Sequence, residues 1–523
     1  MNTIIVPVDG ASNIKLEVLD FETLGTIESY STETPVATVD GLDYNCSGEE
    51  FAWFDLRIAS LPGIYRRPLV IAPVARGASG GLVGHDNVLN EHKGRALTLA
   101  YTQDYPSRVD EAFNEIAGSE GDFFSETGSI RGFPGSLTLI KRFLFEEMER
   151  PKILSESAHF ATYGALMSGH FLSDYIKAAS LAGNEHSYWM CHSGARNITA
   201  SPGTASSAAS KIESFARLVP EKTSVAYKSI ASMPAAKTVE LGLGRTPLVI
   251  PGGHDTCLSH IPIMSTYYQA FPERTGAAVI HVEAGSWTMI ALIGSAIGLP
   301  GDAFTRDVIV QGTVDGQPVV TARYGGGNDF RHVKKLFEDR GMRFGCAGDE
   351  KLLSSVIDSA QGFLLPNIAA VNRKSGPFPE LVGFITDEAS FMSDPDRAYV
   401  ATNLTTAITT AVQVDALNVD PEVSIVLTAG GSRDPYFGRL LSTLTGRDVY
   451  GMYDCDGNAV SETTTLGAAI TGKAAVLGVH PYMVDTSPLC ISYRKLEPFT
   501  GIEASLNRYR KTFLHAVKQN TKG

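Results

Sequence analysis

Five short turns in this 523-residue chain carry the residue types that handle anionic oxygen. They are Asp9-Gly10-Ala11-Ser12-Asn13, Gly252-Gly253-His254-Asp255-Thr256, Ala284-Gly285-Ser286-Trp287-Thr288, Tyr324-Gly325-Gly326-Gly327-Asn328-Asp329 and Ala429-Gly430-Gly431-Ser432-Arg433. Each follows an apolar run that reads as a β-strand. Turns without Cβ atoms let backbone N–H groups approach a ligand closely, which suits phosphate oxygens. Ser and Thr hydroxyls in the same turns add donors. One Gly-Ser turn is common in α/β proteins. Five at strand ends, several with an Asp inside, imply a phosphate-handling cleft between two α/β domains.

The elements that position these turns follow from hydrophobic periodicity. Ile4–Val8 is a short apolar run, Asn13–Asp20 alternates through Ile14, Leu16 and Val18, and Gly25–Tyr30 follows a turn, so the chain starts as a β-meander. Leu69–Val74 and Leu97–Tyr101 read as further strands. From Ser136 to Ile176 the spacing of Leu137, Ile140, Phe143, Leu144 and Met148 predicts helix, and another helix is predicted over Lys211–Leu218. Strands return at Pro247–Pro251 and Ala277–Val282, and Val308–Gln311 and Val319–Ala322 flank a turn at Asp315-Gly316. A helix Asp396–Leu417, a strand Ser424–Thr428 and a helix Ser461–Leu477 complete the pattern. The order predicts two repeats of one α/β plan, with domains at 1–245 and 246–480. Residues 481–523 form a tail whose amphipathic stretch Glu503–Lys522 either docks as a helix or contacts a second copy as a homodimer.

With 44 Lys+Arg against 57 Asp+Glu, the net charge of −13 excludes nucleic acid or an anionic membrane as the main partner. The N-terminus lacks a basic region ahead of its short apolar run, so it reads as a buried strand rather than a signal peptide. The apolar region Thr275–Gly298 is interrupted by His281 and Glu283 and does not read as a membrane span. Six cysteines without a CxxC pair read as reduced, buried thiols of a cytoplasmic protein.

Three motifs yield to plainer readings. His186, Cys191 and His192 lack a fourth zinc ligand. Gly467 to Ala474 nearly matches a P-loop, but no hydroxyl follows Lys473 and no strand directly precedes it, so helix packing through small residues accounts for it better. Asp454-Cys455-Asp456-Gly457-Asn458 has its glycine too early for an EF-hand and reads as an acidic turn.

The motifs DGAS, GGHDT, AGSW and VLTAGGSRDPYFGRLLSTLTGR ahead of SETTTLGAAI resemble the FGGY carbohydrate kinases, most strongly from Pro247 to Leu477. Within that family GHDT, GSW and GGxN are most similar to rhamnulokinases. The resemblance implies an α/β architecture of two ribonuclease-H-like (actin/Hsp70-like ATPase) domains with ATP and sugar in an interdomain cleft. It implies transfer of the γ-phosphate of MgATP to a hydroxyl of a ketose or deoxyketose such as L-rhamnulose or L-fuculose. Asp255 is then the general base, or alternatively a Mg²⁺ ligand, with His254 and Thr256 beside it on the sugar. Gly77, Arg76, Gln103 and Asp104 are further sugar-site candidates. Ala11, Ser12, Asn13 and Lys15 match the first phosphate loop, Lys15 standing where an Arg is common. Ser286 fits the second loop, Asn328 an ATP contact, and Gly430 and Gly431 the turn against adenine and ribose; Trp287 is either a core or a binding residue. Asp9 is the Mg²⁺ candidate. The family has Asp-x-Gly there, whereas Asp9 directly precedes Gly10, and one deleted residue turns a strand side chain to the other face unless a bulge compensates. That irregularity motivates the competing reading, a non-catalytic, nucleotide-gated sugar sensor or scaffold.

Overall fold

The computed structural model describes residues 1–10, 12–90, 95–100, 103–131, 139–180, 206–219, 225–228, 231–294, 302–315, 318–345, 348–360, 362–369 and 375–521. They pack as two compact units. Unit 1 comprises Met1–Gln269, Val310–Pro318 and Glu462–Cys490; unit 2 comprises Ala270–Ile309, Val319–Ser461 and Ile491–Gly523.

Unit 1 starts with β1 (Thr3–Asp9), β2 (Asn13–Asp20) and β3 (Thr26–Glu33), an antiparallel meander. After β4 (Val36–Val39) and β5 (Leu42–Asn45) come β6 (Pro68–Ile71) and β7 (Val74–Ala75), both parallel to β1. The predicted strand Leu69–Val74 is thus split, because Pro73 has no N–H to give to a ladder. Then follow β8 (Gly80–Gly84), β9 (Thr98–Leu99), β10 (Ser157–Thr162), β11 (Ala231–Ser232), β12 (Leu248–Val249) and β13 (Gly253–His254). The main path across the sheet is β11-β12-β6-β1-β2-β3, with β12 parallel to β6 and β13 to β7. Alternation along β1 sends Ile4 and Val6 to one face, where they pack with Val70, Ala72 and Leu258 against Ile470 and Ala474 of the helix Thr463–Leu477. Each such buried aliphatic side chain contributes roughly 1.5–3 kcal/mol. Ile5, Pro7 and Asp9 take the other face.

Unit 2 is built on β14 (Val279–Ala284), β15 (Thr288–Ile293), β16 (Val308–Gly312), β17 (Pro318–Tyr324), β18 (Ile425–Ala429), β19 (Val449–Tyr453) and β20 (Ser492–Lys495). Its order is β16-β17-β15-β14-β18-β19-β20. The central plan repeats that of unit 1: β17-β15-β14 are antiparallel neighbours as β3-β2-β1 are, and β18 and β19 continue in parallel as β6 and β12 do. The turn at Gly10–Asn13 and the turn at Gly285–Trp287 therefore occupy equivalent positions, each joining the first hairpin of its sheet.

Several expectations change in the structure. The helical stretch predicted over Ser136–Ile176 holds, in its described part, two helices before β10 and one after it, with a fourth starting at Tyr175; β10 pairs antiparallel with β8. Packing does not divide the chain at one cut near residue 245, since Thr463–Leu477 lays its small residues on unit 1. A Cβ on Gly467 would sit 1.9 Å from the Leu258 carbonyl oxygen and one on Gly472 would sit 3.0 Å from Val70, so close helix packing accounts for both glycines. The helix Glu503–Asn520 docks on its own unit through buried Leu506, Tyr509, Phe513 and Val517, with Phe363 against Tyr509 and Phe513. Cys46 and Cys257 are buried, but Cys455 and Cys490 are exposed. Asp454 accepts from the backbone N–H groups of Asp456 and Asn458, as in an acidic turn. His186, Cys191 and His192 lie outside the described residues. Among the described residues no helix is long and apolar enough to cross a membrane.

Candidate active site

Asp9 ends β1 on the face opposite the Ile4–Val6 core. Pairing of β1 with β2 runs without a register shift to Asp9↔Ile14, so no bulge intervenes, and the turn closes with the Gly10 N–H donating to Asn13 O at 3.1 Å. The Asp9 side chain is buried, and its Oδ1 lies 2.7 Å from Nη2 of Arg76, whose own N–H donates to the Asp9 carbonyl. The Arg76 guanidinium stacks over Tyr163, whose hydroxyl donates to Glu50 Oε2 at 2.8 Å. Burial pushes Asp9 up to about 6 against the pull of Arg76, and the Asp255 charge adds to the rise. Burial, with the Asp9 charge second, raises Glu50 well above the usual carboxylate range. Sequence reasoning missed Glu50 and Tyr163, which carry no motif.

Across β7, Asp9 is in register with Ala75 and then with His254 of β13. Asp255 opens the helix Asp255–Ala270, where the N-terminal dipole favours a negative charge. Its Oδ1 lies 3.0 Å from His254 Nε2 and accepts from the Thr256 N–H at 2.6 Å and the Thr256 hydroxyl at 3.3 Å. Oδ2 has no such partner among the described residues, and the side chain is 42% exposed. Partial burial raises its pKa, but the His254 charge and the Thr256 donors outweigh that and hold the carboxyl below its ordinary value. His254 is buried; burial lowers its pKa, and the Cys257 sulfur and the Asp255 carboxylate more than restore it, to well above the usual imidazole range. Cys257 lies 3.5 Å from His254 Nδ1 and donates its thiol to Gly312 O.

Gly77 makes room for this histidine. A Cβ there would fall 2.5 Å from His254 Nε2. Gly77→Ala is therefore expected to swing the imidazole away from Asp255 and lower kcat about a hundredfold, the cost of a displacement near 1 Å. Stopped-time product assays on folded variant protein check this, and unchanged kcat would show that His254 does not set the carboxylate.

Two other sugar-site candidates are differently employed. Gln103 gives its Oε1 to the Asp43 N–H and its Nε2 to the Asp104 carbonyl, which leaves the side chain tied to backbone, and Asp104 is exposed. In the first loop, Ser12 and Asn13 are exposed, and Lys15 forms a 3.0 Å ion pair with Glu462; Ala11 lies outside the described residues. That exposed pair contributes little to stability.

In unit 2 three of the glycine turns close on one another around a cavity of about 240 Å³. A Cβ on Gly327 would sit 2.0 Å from Gly285 O, and one on Gly431 2.9 Å from Ala284 Cβ. Of the residues expected to contact ATP, Ser286, Gly430 and Gly431 line this cavity; Asn328 does not line it but braces it, its N–H donating to Ser286 O and its Oδ1 accepting from Arg331. Trp287 is half-buried under the Arg323 guanidinium, which pairs with Asp307, so it packs as a structural side chain. Phe330, Arg331, Asn403, Thr406, Asp434 and Phe437 line the cavity without having been predicted. Asn403 and Thr406 share a face of the helix Pro395–Ala416, but that helix carries polar residues along its whole length, so spacing alone did not single them out.

Among the described residues no three His, Cys, Asp or Glu side chains converge on one point. Mg²⁺ needs no such set, because it keeps waters and takes one or two carboxylates plus phosphate oxygens. Asp9, both of whose oxygens are buried without a well-aligned hydrogen bond, and Asp255 fit that requirement.

Residues 276–476 match the carbohydrate kinase FGGY C-terminal domain. No curated protein matches the sequence. A carbohydrate kinase from Novosphingobium aromaticivorans shares the fold at 19% identity and a TM-score of 0.72, over 99% of both chains. So do a ligand-bound xylulose kinase from Lactobacillus acidophilus (14%, 0.75, 100% of this chain and 99% of that one) and Plasmodium falciparum glycerol kinase with ADP (12%, 0.71, 99% and 98%). Residues 276–476 thus carry the pattern of the carbohydrate kinase FGGY C-terminal domain, and over the whole chain the likeness to these kinases is one of fold.

Proposed function

We propose that the protein transfers the γ-phosphate of ATP to a hydroxyl of a ketose, deoxyketose or related polyol, with Asp255 as general base. The observation that carries this reading is the division of labour within one carboxylate. Oδ1 is fixed by His254 and Thr256, while Oδ2 is free and the group stays ionised. Phosphoryl transfer asks the protein for positioning, charge stabilisation and a proton acceptor rather than covalent chemistry. As the sugar oxygen bonds to the γ-phosphorus, its proton passes to Asp255 Oδ2 and ADP leaves. His254 donates to Asp255 and, with Thr256, sets the direction of the carboxylate. Arg76, Glu50 and Tyr163 hold Asp9 in place. Asp9 would hold Mg²⁺, which when bound neutralises phosphate charge. In unit 2 the amides of the glycine turns and Ser286 hold the nucleotide, with Phe330 and Phe437 as apolar walls.

The relatives named above act on xylulose and glycerol by their names, so the acceptor panel should run from glycerol through pentuloses to L-rhamnulose and L-fuculose. Coupled release of ADP that depends on one acceptor is expected. ADP bound tightly with no turnover on any member would sink the catalytic reading and favour a sensor.

A further inference from the structure

Asn403 is 3% exposed and lines the unit 2 cavity. Its Nδ2 donates to the Tyr399 carbonyl at 3.2 Å, which fixes the amide orientation, because a carbonyl accepts only from the nitrogen side. Oδ1 is left as an acceptor with no hydrogen-bond partner among the described residues. One turn on, Thr406 also lines the cavity, and its hydroxyl hydrogen is committed to the Thr402 carbonyl at 2.9 Å, so its oxygen too presents lone pairs. The charged neighbour is already occupied. Asp434 accepts from the N–H groups of Tyr436 and Phe437 and from the Tyr399 hydroxyl. This wall of the cavity therefore offers two acceptors.

We infer that Asn403 and Thr406 read the exocyclic amine of the nucleobase and select adenine over bases that carry a carbonyl in its place. The inference rests on the nucleotide reading of this cavity. An amine supplies two N–H donors to two waiting acceptors. A carbonyl oxygen would instead face them, leaving Oδ1 buried and unpaired against a like partial charge. Phe330 and Phe437 give the ring apolar surface but do not discriminate.

Titration calorimetry of the full chain with ADP, IDP and N6,N6-dimethyl-ADP tests this without any sugar. ADP is expected to bind about 10- to 100-fold more tightly than either analogue. Thr406→Val and Asn403→Leu should each narrow that ratio, and Thr406→Val, nearly isosteric, keeps the test alive if the other variant misfolds. Equal binding of ADP and IDP by the unaltered protein overturns the inference while leaving the nucleotide site standing. So does a ratio untouched by Thr406→Val and by any folded Asn403 variant. Failure of ADP to bind at all overturns the nucleotide reading itself.

Discussion

Asp255→Asn is expected to lower kcat about a thousandfold, within the range that removal of a positioned general base costs. The amide keeps the shape of the side chain and can still accept from Thr256 through its oxygen. It has no basicity, and the sugar proton then has no acceptor on Oδ2, the only oxygen of this group left open. Nucleotide affinity should be unchanged, because every residue that lines the unit 2 cavity lies between Ala284 and Phe437. The measurement pairs steady-state turnover with ADP calorimetry on the same preparation. A variant that keeps wild-type kcat would remove Asp255 from the base role. Because His254 holds the carboxyl below its ordinary value, the acid remains deprotonated across the neutral range. Loss of rate on mild acidification would therefore have to come from another group.

Gly327→Ala should weaken nucleotide binding about 5- to 150-fold. The new Cβ would stand 2.0 Å from the Gly285 carbonyl oxygen, and both partners are backbone, so no side chain can rotate aside. Either the start of the helix Gly326–Glu338 or the turn after β14 must move, and both line the cavity. Overpacking of this kind costs about 1–3 kcal/mol, which set against binding is about 5- to 150-fold in affinity. Gly121→Ala is the control, since nothing lies within 4 Å of that Cβ. Calorimetry with ADP, alongside thermal unfolding, separates lost binding from lost folding. Equal affinity in both variants would mean that the turns are not held by this contact.

Much of the plan was legible before any coordinates. The strand-end position of the turns, the meander at the N-terminus and the helix Pro395–Ala416 follow from periodicity and turn chemistry, which are local. Two things escaped that reading. Helix Thr463–Leu477 is small-residue-rich on every side, so its periodicity did not say which unit it serves. The run Ser136–Ile176 hid β10, because a six-residue strand between helices makes sense only once β8 is beside it.

The sites divide in the same way. Asp255 stands out in GGHDT, and Gly430 and Gly431 in AGGS, because five such turns at strand ends recur in one chain where a single one would be unremarkable. Arg76 could be placed near the site but not paired. Its partnership with Asp9, the buried Glu50 bonded to Tyr163 and the ring of His254 lying over Gly77 come from residues far apart in the chain.

The sequence alone therefore determined the resemblance to a carbohydrate kinase domain over residues 276–476, the repeated α/β plan and the strand-end place of the glycine turns, since each is written in short-range spacing. The tertiary structure decided which carboxylate is buried, which is paired and which keeps an open oxygen. Those properties depend on desolvation and on neighbours brought together across three strands, and no local pattern encodes them.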